Sequence, residues 1–126
     1  MPKRKHFISI VDDDESVREA TRGLMKSLGY IAEVFPSAED FLQSQQVPRT
    51  SCLIADVNMP GMSGLDLHRH LSASGKPIPT ILITAYPDDD VRELALNAGV
   101  ICYLSKPFEE SDLLSCIHSS LPPDGP

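Results

Sequence analysis

Several apolar runs in this chain stop at a residue able to do chemistry. Cys52 to Ala55 is apolar and ends in Asp56, and Asn58-Met59-Pro60-Gly61-Met62-Ser63-Gly64 follows almost at once. Pro and Gly break regular structure and favour tight loops. Asp56 is therefore expected at the carboxyl end of a buried strand, facing a loop. Phe7-Ile8-Ser9-Ile10-Val11 likewise stops at Asp12 and Asp13, and Thr80-Ile81-Leu82-Ile83 ends in Thr84. Lys106 follows a fifth run after one intervening residue. Crowded carboxylates repel and are neutralised by raised pKa values or by a cation. Three of them, helped by a backbone carbonyl near Asn58, make a hard oxygen site suited to Mg²⁺. A lysine adds fixed positive charge, and the Thr84 hydroxyl can hydrogen-bond an anion. Carboxylate nucleophile, divalent metal, lysine and hydroxyl together describe phosphoryl transfer to an aspartate.

These residues converge only if the elements carrying them align. The β-branched runs at 7–11, 31–35, 52–56, 80–84 and 101–104 read as strands. Glu33 and a looser alternation place the second at a sheet edge. Between them lie helix patterns. The first, about 13 residues long, has capping-box spacing at Ser16 and Glu19, an apolar face of Val17, Ala20, Leu24 and Leu28, and an end at Gly29. Ser37 caps a short helix carrying Ala38, Phe41 and Leu42, and a polar loop runs from Gln43 to Thr50. Leu65, Leu67, His68 and Leu71 share a third helix, ended by Gly75-Lys76-Pro77. Pro87 opens a fourth helix through Asn97, and a fifth spans about Glu110 to Leu121. Strands alternating with helices over short connections predict an α/β fold with a parallel sheet. Right-handed crossovers then bring all the strand ends to one edge, where open sheets bind ligands.

At 126 residues the chain suits one domain over 7–121, with a basic tail over 1–6 and a linker or tail over 122–126. Its hydrophobic (41%) and charged (23%) shares are those of ordinary globular chains. The net charge of −7 argues against a nucleic-acid surface. No apolar run approaches the ~20 residues of a membrane span, and no signal peptide precedes the first strand, so a soluble cytoplasmic protein is expected. Cys52, Cys102 and Cys116 sit in apolar patterns without C-x-x-C spacing and read as buried reduced thiols. His68 and His70 lie two apart on one helix, face different sides, and make no metal pair. Along with His6 and His118 they read as surface or packing residues. Asp88-Asp89-Asp90 reads as the acidic first turn of a helix, where negative charge favours the macrodipole.

Four motifs, Val11-Asp12-Asp13-Asp14, Ala55 to Gly64, Ile83-Thr84-Ala85 and Lys106-Pro107-Phe108, occur in one order and spacing. Through them the chain resembles the receiver domains of two-component response regulators, most of all a subgroup that includes nitrogen-fixation regulators. The resemblance implies a flavodoxin-like (βα)5 doubly wound sheet of strand order 2-1-3-4-5. It implies that Asp56 accepts a phosphoryl group from a sensor histidine kinase, with Asp12 and Asp13 as the acidic pair. Asp13 would be the direct ligand of Mg²⁺ or Mn²⁺, and the Asn58 backbone carbonyl would complete the metal site. Lys106 would pair with Asp56 and then with the phosphoryl oxygens. Thr84 and Tyr103 would be the switch residues, Asn58 and Tyr86 would set the phosphoryl lifetime, and the bond preceding Pro107 would be cis. Such a domain is a switch rather than a turnover enzyme, although it catalyses its own phosphoryl transfer and slow autodephosphorylation. Its partners would be the kinase, an output domain or downstream protein controlling transcription, and a second copy through the fourth helix, fifth strand and fifth helix. Direct contact with nucleic acid or membrane is not implied. Pro87 stiffens the loop before the fourth helix, and Gly61 loosens the loop after Asp56.

Three other functions fit the residues less well. A phosphatase working through an aspartyl phosphate wants a second acid two residues after the nucleophile, where Asn58 stands. A flavin or nucleotide binder wants a Gly- or Ser/Thr-rich loop after the first strand, but Asp12-Asp13-Asp14-Glu15 would repel phosphate. An unphosphorylated pseudo-receiver would not need Asp12, Asp13, Asp56, Thr84 and Lys106 together.

Overall fold

A computed structural model describes residues 6–121. Apart from His6, the expected tails at 1–6 and 122–126 lie outside the described residues. Five strands, β1 (Phe7–Val11), β2 (Ile31–Phe35), β3 (Cys52–Asp56), β4 (Thr80–Thr84) and β5 (Cys102–Ser105), alternate with α1 (Glu15–Ser27), α2 (Ala38–Gln43), α3 (Gly64–Ala73), α4 (Asp89–Asn97) and α5 (Glu110–Ser120). The strands form one parallel sheet of order β2-β1-β3-β4-β5. This is the doubly wound flavodoxin-like order that the resemblance implies. β2 lies at an edge, as Glu33 suggested.

Period-two alternation sorts each central strand into two cores. Val11, Leu53, Ala55 and Leu82 pack with Phe41 of α2, Leu67 and Leu71 of α3, and Ala95 of α4. Ile8, Ile10, Ile54, Ile81 and Ile83 pack on the other face with Met25 of α1 and with Leu113 and Ile117 of α5. β1, β3 and β4 are buried throughout, which explains their near-continuous apolar sequences. Fully burying a side chain such as Ile54 or Leu82 contributes about 1.5–3 kcal/mol. The strand ends are thereby held by rigid neighbours on both faces.

Local details depart from expectation. Asp14, not Ser16, caps α1: its Oδ1 accepts from the N–H groups of Ser16 (2.9 Å) and Val17 (3.3 Å). Ser16 is already inside the first turn, and Glu19 lies 3.5 Å from Arg22 rather than reaching back to close a box. On the same helix Thr21 and Met25 are the buried residues, while Ala20 and Leu28 are exposed. α4 begins after an Asp88 cap, so Pro87 precedes the helix instead of opening it. The expected polar loop over 43–50 contains a 3₁₀ turn, Val47–Arg49, with Val47 buried. β5 is displaced by one residue from the predicted run.

The cysteines also differ. Cys52 is a buried free thiol, and burial pushes its pKa up to about 12 against an opposing hydrogen bond with Ser120. Cys102 and Cys116 are instead joined in a disulfide, with Cα atoms 6.0 Å apart. The two lie 14 residues apart in the chain. They meet because β5 and α5 border the same core, a relation that spacing cannot reveal.

Candidate functional site

Parallel pairing sets the site. Val11 is in register with Ala55, Asp56 with Ile83, and Thr84 with Ser105. The residue after β1, the last residues of β3 and β4, and Lys106 just after β5 thus reach one edge together. Asp12, Asp13 and Asp56 each present a carboxylate oxygen within 4.8 Å of the others. Asp12 and Asp56 are buried and Asp13 is exposed. The site opens into a cavity of about 410 Å³ lined by Asp13, Asp14, Asp56, Asn58, Ala85, Tyr86 and Lys106.

The two buried carboxylates, Asp12 and Asp56, are each held from one side. Asp12 Oδ1 accepts from the Asp14 N–H (2.9 Å), and the Arg18 guanidinium donates to the Asp12 backbone carbonyl (2.7 Å). Asp56 Oδ1 accepts from the Asn58 N–H (3.1 Å). The remaining oxygens meet Lys106 Nζ, at 3.0 Å for Asp12 Oδ2 and 3.5 Å for Asp56 Oδ2. Lys106 therefore pairs with Asp56, as the resemblance implies, and lies still nearer to Asp12. The Lys106–Pro107 peptide is cis.

The charges respond to this crowding. Burial, with the Asp12 charge adding to it, pushes the Asp56 carboxyl up to about 6, against the pull of the Asn58 N–H and of Lys106. Burial also works against a charged Lys106. Its hydrogen bond to Asp12 and the charges of both aspartates outweigh burial and hold its pKa above the ordinary lysine value. Two aspartates share one lysine, so a second cation fits here. Three carboxylate oxygens within 4.8 Å of one another beside an open cavity could hold a hard metal ion.

The other predicted residues surround this centre. Thr84 is fully buried, and its hydroxyl donates to Asn58 Oδ1 at 2.5 Å while accepting from the Tyr86 N–H at 3.0 Å. Tyr86 is 75% exposed at the cavity wall. Tyr103 stands farther off, its hydroxyl accepting from the Asp88 N–H at the start of α4 (3.2 Å). Asp88 caps that helix, so the second acidic run is structural. His68 is a buried packing residue, with Nδ1 2.9 Å from Thr80 Oγ1 and Nε2 3.0 Å from the Ala98 carbonyl. His70 is exposed.

Sequence reasoning missed four supporting residues. Asp14 and Arg18 brace Asp12, as described. Glu39 of α2 reaches the loop after β3, where its Oε2 accepts from the Met62 N–H at 3.1 Å beside Gly61 at φ 78°. Gly64 starts α3 against the backbone of Asp56: a Cβ there would stand 2.5 Å from the Asp56 carbonyl oxygen and 3.0 Å from Leu82 Cδ2. Only the acidic run and the loop glycines hinted at any of these. Gly64→Ala must displace backbone, and overpacking of this kind costs roughly 1–3 kcal/mol. Urea unfolding at equilibrium should show that loss, and an unchanged midpoint would mean that α3 slides freely away from β3.

Comparison with known proteins agrees with this geometry. The family model of the response regulator receiver domain matches residues 8–118. Response regulator protein TodT of Pseudomonas putida is 41% identical over 121 residues, covering 96% of this chain and 53% of TodT. Transcriptional regulatory protein FixJ of Bradyrhizobium diazoefficiens is 31% identical over 117 residues, 93% of this chain and 57% of FixJ. The similarity to FixJ supports the subgroup read from the motifs. The structure of response regulator StyR superposes with a TM-score of 0.86 at 42% identity, over 94% of this chain and 60% of that one. The chain spans about half the length of the curated relatives it matches. Motifs, strand order and family match agree, and the chain belongs to the response regulator receiver domains, the signalling modules of two-component systems.

Proposed function

We propose that residues 7–121 form a phosphoacceptor receiver in which Asp56 takes a phosphoryl group from the phosphohistidine of a sensor kinase. The observation that carries this reading is the meeting of Asp12, Asp13, Asp56 and Lys106 at an open cavity. In the step, an Asp56 carboxylate oxygen forms a bond to phosphorus as the P–N bond breaks, and the electron pair leaves on the imidazole nitrogen. Asp12, Asp13, Asp56 and the Asn58 carbonyl would hold Mg²⁺ or Mn²⁺, Asp13 directly. When bound, this ion offsets charge on the transferring phosphoryl oxygens. Lys106 supplies a second, fixed positive charge to those oxygens, and Thr84 donates a hydrogen bond to one of them. The acyl phosphate then hydrolyses slowly, its lifetime set by Asn58 and Tyr86 at the cavity wall.

The signal passes as a population shift of α4, β5 and α5. Tyr103 takes part, already bonded to the start of α4. Downstream lies an output domain or partner protein that controls transcription, and phosphorylation favours a homodimer through the same elements. Tyr86, Leu94 and Ile101, all exposed on or near them, offer apolar surface. Neither nucleic acid nor membrane is bound by this domain. Among the described residues no helix is long and apolar enough to cross a membrane, and a cytoplasmic setting suits a sensor-kinase partner.

Acetyl phosphate replaces the kinase in the test. Intact-mass spectrometry should show one phosphoryl adduct with Mg²⁺ and none after chelation. Gel filtration of the Mg²⁺–fluoroberyllate form should show an earlier peak than the untreated chain. Absence of any adduct would favour the pseudo-receiver, and a monomer in both states would remove the dimer alone.

A further inference from the structure

We infer that the Asn58 side chain is a latch that holds Thr84 in the resting state and must release it before Thr84 can engage a phosphoryl group. The inference rests on the phosphoacceptor reading of Asp56 and adds a positioning role for the Asn58 carboxamide, separate from the backbone carbonyl assigned to the metal. A threonine hydroxyl carries one proton. Here that proton goes to Asn58 Oδ1 at 2.5 Å, while the hydroxyl oxygen receives the Tyr86 N–H at 3.0 Å. A phosphoryl oxygen on Asp56 also needs the Thr84 proton, so the two bonds exclude each other.

Burial gives the competition its weight. Thr84 is fully buried, and in the resting state the exposed Asn58 stands between its hydroxyl and the open cavity and takes its proton. A buried donor left unpaired raises the free energy of the state in which it is unpaired. Asn58 in turn is held beside the reacting group, because its own N–H donates to Asp56 Oδ1 at 3.1 Å. The latch therefore joins the loop after β3 to the end of β4. The Tyr86 N–H continues the connection toward α4, whose cap residue Asp88 donates its N–H to the Tyr103 hydroxyl. Release of Thr84 frees the segment that leads to the proposed output face.

The test is a double-mutant cycle read by the affinity for fluoroberyllate in Mg²⁺, titrated by ¹⁹F nuclear magnetic resonance. Asn58→Ala should bind about 3- to 10-fold more tightly than wild type, the range expected for one hydrogen bond to a buried hydroxyl. In a Thr84→Val background the same change should have no effect. In Thr84→Ser, which keeps the hydroxyl, the gain should return. Melting curves identify any variant that fails to fold, and the serine background then carries the comparison. Unchanged or weaker binding by Asn58→Ala, or an equal gain with Thr84→Val, would overturn the latch and leave the phosphoacceptor reading standing. Failure of wild type to bind fluoroberyllate at all would remove both.

Discussion

Asp56→Asn is expected to abolish the acetyl-phosphate adduct and, at neutral pH, to make the folded chain more stable. The first effect follows from chemistry. A carboxamide oxygen is a poor nucleophile and carries no charge for the metal or Lys106 to position. Asp12 and Asp13 keep their places, yet neither lies at the end of β3, where register sets Asp56 between β1 and β4. Loss of the adduct to the detection limit is the expected outcome, and a full adduct in the mutant would move the acceptor to another residue.

The second effect follows from the raised pKa of Asp56. Its carboxyl titrates at about 6 instead of 3.8, chiefly because it is buried. Between these values the native state holds a proton that the unfolded chain has released, so stability falls as pH rises through the window. Above pH about 6 the whole cost of the buried charge is present. A shift of this size corresponds to ~3 kcal/mol, and screening through the open cavity reduces it to about 1–2 kcal/mol. Asn removes the charge while keeping an acceptor for the Asn58 N–H. In the presence of chelator, urea unfolding should therefore favour Asp56→Asn at pH ~7 and show no difference below pH ~4. Mg²⁺ should narrow the gap at neutral pH by stabilising wild type more. A gap that widens toward acid would have the wrong sign and would refute this account.

What the sequence made legible has a physical pattern. Strand positions were legible because each run is short, β-branched and punctuated, and β1, β3 and β4 ended where expected. The site followed from topology, since parallel strands with right-handed crossovers must share one edge. Choices among neighbouring candidates were not legible. Any of several residues from Asp12 to Ser16 could cap α1, and only the turn geometry selects Asp14. Contacts between elements were also hidden. The Cys102–Cys116 bridge, the span of His68 between Thr80 and Ala98, and the closeness of Gly64 to Asp56 each depend on packing that no local period records. The nearer approach of Lys106 to Asp12 is of the same kind, since it depends on where the packed ends of β1, β3 and β5 place the free Oδ2 of each aspartate.

That placement makes Lys106→Met a severe change on two counts. Methionine matches the lysine stem in length but supplies no charge, so developing negative charge on the phosphoryl oxygens loses a fixed partner. Loss of one such group costs roughly 10²-fold in rate, which the acetyl-phosphate time course would measure. In the unphosphorylated chain, Asp12 and Asp56 would face each other without the cation that lies 3.0 and 3.5 Å from them. Breaking a fully buried pair costs 3–5 kcal/mol; with the Lys106 side chain 18% exposed, about 2 kcal/mol is expected. The Asp56 carboxyl, freed from the downward pull of Lys106, should move above about 6. Adduct formation would then fail at a higher pH than in wild type as the solution is acidified. Lys106→Arg should recover part of the stability, because it restores the charge, but less of the rate, because its planar fork is larger and differently directed. Adding Asp56→Asn to Lys106→Met removes one of the two opposed carboxylates and should restore stability beyond the sum of the single changes. If the two substitutions were simply additive, the shared lysine would not be what allows two carboxylates to lie at the bottom of this cavity.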